Sequence, residues 1–139
     1  METGNRIKVI VIDDEPDMQL YLAALLEENG FEPIIAEDET SALEKARRQN
    51  PACIILNAMI PTGGGVSMYV TLRCDDELKA VPVIMLSPVG RKILFHYQKM
   101  KSTPEGRSLP EPEAYLVNPP DAEELIKEIH KLAKRRPPS

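Results

Sequence analysis

Three short runs of this chain are apolar at nearly every position, and each ends on a polar residue. Ile7-Lys8-Val9-Ile10-Val11-Ile12 runs into Asp13-Asp14, Ala52-Cys53-Ile54-Ile55-Leu56 into Asn57, and Val81-Pro82-Val83-Ile84-Met85-Leu86 into Ser87. A strand with one wet face alternates apolar and polar residues; a run apolar throughout is covered on both faces, which is the condition of a parallel sheet between two helical layers. Neighbouring parallel strands bring their C-terminal ends to one edge, where ligands of such sheets bind. The four polar residues would then line one crevice: two carboxylates from Asp13 and Asp14, a carboxamide from Asn57 and a hydroxyl from Ser87.

Helical signals fill the gaps between the runs. Pro16 suits the first turn of a helix, with Asp14 or Glu15 near its N-cap. Met18, Leu22, Leu25 and Asn29 form a stripe with Tyr21 and Leu26 beside it, and Gly30 supplies the stop. A second strand is expected over residues 31–36. Asp38, Glu39 or Thr40 can cap a second helix with Ala42, Leu43 and Ala46 inward, ended by Asn50-Pro51. A third helix is expected over residues 66–73 and a fifth strand over 114–117. Asp121 opens a last helix whose apolar face is Leu125, Ile126, Ile129, Leu132 and Ala133.

Composition narrows the function classes. The 139 residues suit one domain with its own core. Cys53 and Cys74 have no CxxC or His/Cys spacing, so two buried or half-buried thiols are expected in place of a disulfide or metal site, which fits a reducing, cytoplasmic setting. No signal-like start and no span-length apolar run is visible, so no membrane association is expected. A net charge of -5 argues against direct nucleic-acid binding. Lys131, Lys134, Arg135 and Arg136 read as cations at a helix C-terminus.

The ordered set of motifs resembles the receiver domains of bacterial response regulators, over residues 7 to about 134. Asp13-Asp14 matches the family's metal-binding acidic pair, and Asn57 stands at the phosphoacceptor position. Pro61 and Gly65 match the loop beyond it. Ser87 matches the hydroxyl residue that contacts the phosphoryl group, Tyr115 the aromatic switch residue, and Asn118-Pro119 the family's Lys-Pro, whose peptide bond is usually cis. The resemblance implies a flavodoxin-like (βα)5 fold, an α/β three-layer arrangement whose five-stranded parallel sheet has the order 2-1-3-4-5. It also implies Mg2+ held by Asp13, Asp14, the acceptor side chain and a backbone carbonyl, here that of Met59.

Two departures bear on function. The family's acceptor aspartate is replaced by Asn57 and its lysine by Asn118. A carboxamide is uncharged and its lone pairs are delocalised, so Asn57 is not expected to form an acyl phosphate. Mg2+ prefers anionic oxygen ligands, so binding should be weakened and no cofactor is required. Loss of one acid and one base leaves the formal charge of the pocket unchanged, and the two amides could satisfy each other or Asp13 and Asp14 by hydrogen bonds. The expectation is a degenerate receiver, phosphorylation-independent and not an enzyme, held in one conformation by a polar network.

Plainer readings stand beside each of these residues. Asp13-Asp14 could merely cap the first helix, although two adjacent acids at a buried strand end are poorly explained that way. Ser87 and Tyr115 could be ordinary loop and half-buried strand residues. The Gly63-Gly64-Gly65 run lacks the Lys-Ser/Thr continuation of a phosphate-binding loop. His96 and His130 have no partner at metal-ligand spacing and read as helix-surface residues.

The connection over residues 88–112 is longer than the family's usual one between strands four and five. It carries an amphipathic stretch with Ile93, Tyr97 and Met100 on one stripe, then a proline-rich part, with five Lys or Arg against two Glu. The plainer reading is a fourth helix packed on the sheet followed by a surface loop. The alternative is a partner surface of acidic complement, continuous with the face that receivers build from their fourth helix, fifth strand and fifth helix.

Three function classes follow. The first is a signalling module that docks onto a histidine kinase, a regulator or its own copy as a homodimer. The second is an active receiver phosphorylated on Asp13 or Asp14. The third is a flavodoxin-like enzyme or cofactor binder sharing only the fold.

Overall fold

The computed structural model describes residues 6–58, 65–87 and 111–135. The five strands are β1 (Ile7–Ile12), β2 (Phe31–Ala36), β3 (Cys53–Asn57), β4 (Val83–Ser87) and β5 (Ala114–Val117). They form one parallel sheet in the order β2-β1-β3-β4-β5. The described helices are α1 (Pro16–Glu28), α2 (Glu39–Gln49), α3 (Gly65–Cys74) and, at the C-terminal end, α4 (Ala122–Arg135).

The period of two in each strand divides the core into two layers. Ile10 and Ile12 of β1, Ile54 and Leu56 of β3, and Val83 and Met85 of β4 pack with Ala42 and Ala46 of α2 and Met68, Tyr69 and Leu72 of α3. The intervening residues Val9, Val11, Cys53, Ile55, Ile84 and Leu86 face the other way. They meet Leu22 and Leu26 of α1 and Leu125, Ile129 and Leu132 of α4. Burial of each such side chain contributes about 1.5–3 kcal/mol before the entropy of ordering it is subtracted.

Local chemistry sets the element ends. The Asp38 side chain accepts from the Ser41 N–H as the N-cap of α2, and Asn50 closes that helix in the left-handed region at φ 50°. Asn29 ends α1, its side chain donating to the Leu25 carbonyl, and Gly30 follows at φ +86°. An Asp121 oxygen accepts from the Glu124 N–H before α4.

Four local expectations are corrected. The inner face of α1 centres on Leu22 and Leu26, with Met18 and Leu25 at its margin and Tyr21 exposed, because the helix rolls its Leu26 side onto Val9 and Val11. β4 starts at Val83, not Val81: the Val81 N–H is used in a turn by the Leu78 carbonyl, and Pro82 offers no N–H, its carbonyl accepting from Ile54. β3 starts at Cys53, since the Ala52 N–H donates to the Lys8 carbonyl just before the ladder. Cys74, the last residue of α3, is exposed, whereas Cys53 is buried in the sheet.

Asp75 ties the turn after α3 to α2. Its carboxylate accepts from the Glu77 and Leu78 N–H groups and pairs with Arg47. Burial acts to raise its pKa, but the Arg47 guanidinium and the two N–H donors outweigh that and hold the carboxyl below its usual value. A depressed carboxylate pKa adds stability above the unfolded-chain value of about 3.9, and the gain is lost as the pH falls through the folded value. Urea titrations of wild type and Asp75→Asn should therefore show wild type ahead at pH 6 to 7, with the gap closing below about pH 4.

Candidate functional site

The chain leaves β1 for α1 on one face of the sheet and leaves β3 for α3 on the other. Because β1 and β3 are neighbours, their departing connections part and open a crevice at their C-terminal ends. Asp13 and Asn57 stand on its two sides.

Asp13 is 1% exposed and Asn57 8%. Asn57 Nδ2 donates to Asp13 Oδ2 at 3.2 Å, while the other carboxylate oxygen, Oδ1, accepts from the Glu15 N–H at 3.0 Å. The Asp13 backbone is fastened too. Its N–H donates to the Ala36 carbonyl, and its carbonyl accepts from Gln19 Nε2 at 2.6 Å. Asp14, by contrast, is exposed. The acidic pair therefore divides into one buried carboxylate with a hydrogen bond to each oxygen and one exposed carboxylate.

Ser87 is buried at the end of β4, and its carbonyl accepts from the Asn118 N–H at 3.1 Å. Tyr115 is partly buried against the cluster containing Tyr69 and Met85. The Asn118-Pro119 peptide bond is cis. Asn118 Oδ1 is buried without a hydrogen-bond partner, so the expected satisfaction of both amides is met at Asn57 and not at this atom. Met59 lies outside the described residues, as do Pro61, the first two glycines of the loop, His96 and residues 88–110 of the long connection.

Sequence reasoning missed four contributors. The Gln19 side chain and the Glu15 backbone N–H hold Asp13 in place; Glu15 reads in the sequence only as a candidate cap of α1, and Gln19 carries no sequence signal beyond its position in the first turn. Arg73 and Glu113 form a buried ion pair at the opposite end of the sheet. Arg73 is the only cation among Val66 to Cys74, which is the one hint of it in the sequence.

The comparisons with known proteins agree with this geometry. Residues 9–99 match the family described as response regulator receiver domain. The chain belongs to that family. It is 27% identical over 131 residues to the phosphate regulon transcriptional regulatory protein PhoB of Escherichia coli, covering 94% of this chain and 53% of PhoB. The chain thus spans about half the length of that curated relative. Among solved structures, a receiver domain of a Francisella response regulator is 28% identical, with a TM-score of 0.75 over 94% of this chain and 98% of that one. The receiver domain of a sensor histidine kinase from Pseudomonas aeruginosa, described with a magnesium ion coordinated in its active-site cleft, is 19% identical and shares the fold. Its TM-score is 0.74, over 93% of this chain and 98% of that one. This receiver domain is a two-component signalling module with the flavodoxin-like strand order.

The crevice meets part of the requirement for Mg2+. Asp13 offers carboxylate oxygens of the kind a hard cation takes, and each keeps a lone pair beyond its N–H partner. The set has one carboxylate fewer than the family pattern. Among the described residues, no cluster of three or more His, Cys, Asp or Glu is poised for a metal. An aspartate at position 57 would place a second carboxylate at the 3.2 Å contact now made by the amide, and two like charges there need a cation. Asn57→Asp should therefore lose about 1–3 kcal/mol in EDTA. It should recover in Mg2+, while wild type stays nearly Mg2+-independent; thermal unfolding with and without Mg2+ reads both.

Proposed function

We propose that this receiver domain signals by binding and not by accepting phosphate. The observation that carries the reading is the Asn57 Nδ2 to Asp13 Oδ2 hydrogen bond: the acceptor position holds an uncharged amide already engaged in the pocket. A phosphoryl acceptor attacks as an anionic oxygen, and a carboxamide has none to offer. The module is accordingly non-enzymatic and requires no cofactor. Mg2+, if bound, would be held weakly by Asp13, Asp14 and the Met59 carbonyl, and it would supply only neutralisation of the acidic crevice.

Phosphorylation on Asp13 or Asp14 finds less support. Asp13 is buried with both carboxylate oxygens accepting hydrogen bonds, and Asp14 is exposed, outside the buried hydrogen-bonded set.

The partner in this reading is a protein: a histidine kinase, a regulator or a second copy of the chain. It docks on the face of β5 and α4 together with residues 88–112, where five Lys or Arg against two Glu favour an acidic surface. The module acts in the cytoplasm, consistent with the absence, among the described residues, of a helix long and apolar enough to cross a membrane. It contacts nucleic acid only through such partners.

The test is isothermal titration of a partner captured from the native host. Its affinity should be the same before and after treatment of this chain with acetyl phosphate and Mg2+. Deletion of residues 103–109 should leave the fold intact and weaken binding. A phosphodonor-dependent affinity overturns the reading, and unchanged binding by the deletion variant removes the segment from the interface.

A further inference from the structure

Arg73 has a side chain only 3% exposed, an uncommon place for a charge. Its guanidinium is fully surrounded. Nε donates to the Tyr69 hydroxyl at 2.9 Å, one Nη donates to the carbonyls of Lys79 (2.9 Å) and Val81 (3.1 Å), and the other donates to Glu113 Oε1 at 2.6 Å. The guanidinium carbon also lies 5.0 Å from the centre of the Tyr69 ring. Burial alone would lower the arginine pKa, but the hydroxyl and the carboxylate outweigh it; burial likewise pushes the Tyr69 phenol up. The group is thus a fixed cation beside a neutral phenol.

The same Glu113 oxygen accepts from the Val83 N–H at 2.7 Å. That donor sits at the first residue of β4, immediately before the first β4–β5 register pair, Ile84 with Ala114. One carboxylate therefore neutralises a buried cation on α3 and fixes where β5 joins the sheet. Glu113 immediately precedes β5, two residues before Tyr115. Tyr115 packs against the cluster that contains Tyr69, the hydroxyl-bearing partner of Arg73. Helix α3 itself follows β3 in the chain and carries this arginine in its last turn, so it runs from the crevice end of the sheet to the opposite end.

We propose that Arg73, Tyr69 and Glu113 form a clasp that locks β5 onto α3, so that the crevice-side start of α3 and the Tyr115 face of β5 move as one body. The clasp is a conformational device independent of what occupies position 57, and it holds Tyr115 in one packing arrangement. Its strength follows from the cost of an orphaned charge. Removal of Glu113 leaves the guanidinium buried without its counter-charge and the Val83 N–H without its acceptor, two losses at a single joint.

The experiment is NMR on ring-labelled Tyr115 with amide hydrogen exchange in the same samples. Wild type should give one sharp Tyr115 signal. Glu113→Ala should broaden or split it and speed exchange of the Val83 amide on the order of tenfold or more. Glu113→Gln, which keeps an oxygen for Val83 but not the charge, should fall between the two. Should Glu113→Ala not fold, Arg73→Lys and Glu113→Gln carry the test. Ile129→Val, in the opposite core layer, serves as a control for lost stability alone. A single sharp Tyr115 signal in every folded clasp variant overturns the proposal. Equal broadening in Ile129→Val at matched stability also overturns it, since the effect would then be general softening.

Discussion

The crevice depends on one hydrogen bond between neighbours that would otherwise repel. In a receiver with aspartate at the acceptor position, Asp13 and that aspartate face each other across the gap between β1 and β3, and a divalent cation relieves the repulsion. Here the Asn57 amide donates directly to Asp13, so a protein N–H does part of the work of the ion. The rest of the site follows. With Glu15 and Gln19 holding its other atoms, Asp13 is immobilised at the mouth of α1. In the reading proposed above, an amide at position 57 leaves that position without an anionic nucleophile and lessens the need for metal.

The site is possible because of the sheet beneath it. A parallel sheet with residues alternating into two apolar layers leaves the strand ends as the place where polar side chains can gather. The order β2-β1-β3-β4-β5 sends the chain to opposite faces after β1 and β3 and so opens the crevice there. At the far end of the sheet the Arg73–Glu113 pair closes the structure, tying α3 to the entry of β5. The two polar centres thus sit at opposite ends of the sheet: the amide-to-carboxylate bond at the C-terminal ends of β1 and β3, and the compensated charge beside the starts of β4 and β5.

Much of this was legible in the sequence because period and punctuation carry it. Continuous apolar runs marked β1, β3 and β4, and Asp38, Asn50, Gly30 and Asp121 marked helix ends by chemistry that needs no tertiary context. Asp13, Asn57 and Ser87 were visible as the polar residues that ended those runs, and all three are buried at the strand ends. What escaped was set by tertiary packing. The roll of α1 toward Leu26 depends on the sheet face it meets, the start of β4 depends on a turn that consumes the Val81 N–H, and the Arg73–Glu113 pair joins residues far apart in the chain. The split of Asp13 from Asp14 into buried and exposed partners likewise follows from how the strand turns into α1, which two adjacent letters do not encode.

Whether the pocket can be phosphorylated is decided by intact mass spectrometry of the wild-type chain incubated with acetyl phosphate and Mg2+. Wild type should show no mass increase, whereas Asn57→Asp paired with Asn118→Lys should gain one phosphoryl group. A stoichiometric phosphoryl adduct on wild type, mapped to Asp13 or Asp14, would show that the crevice is a phosphoryl acceptor after all.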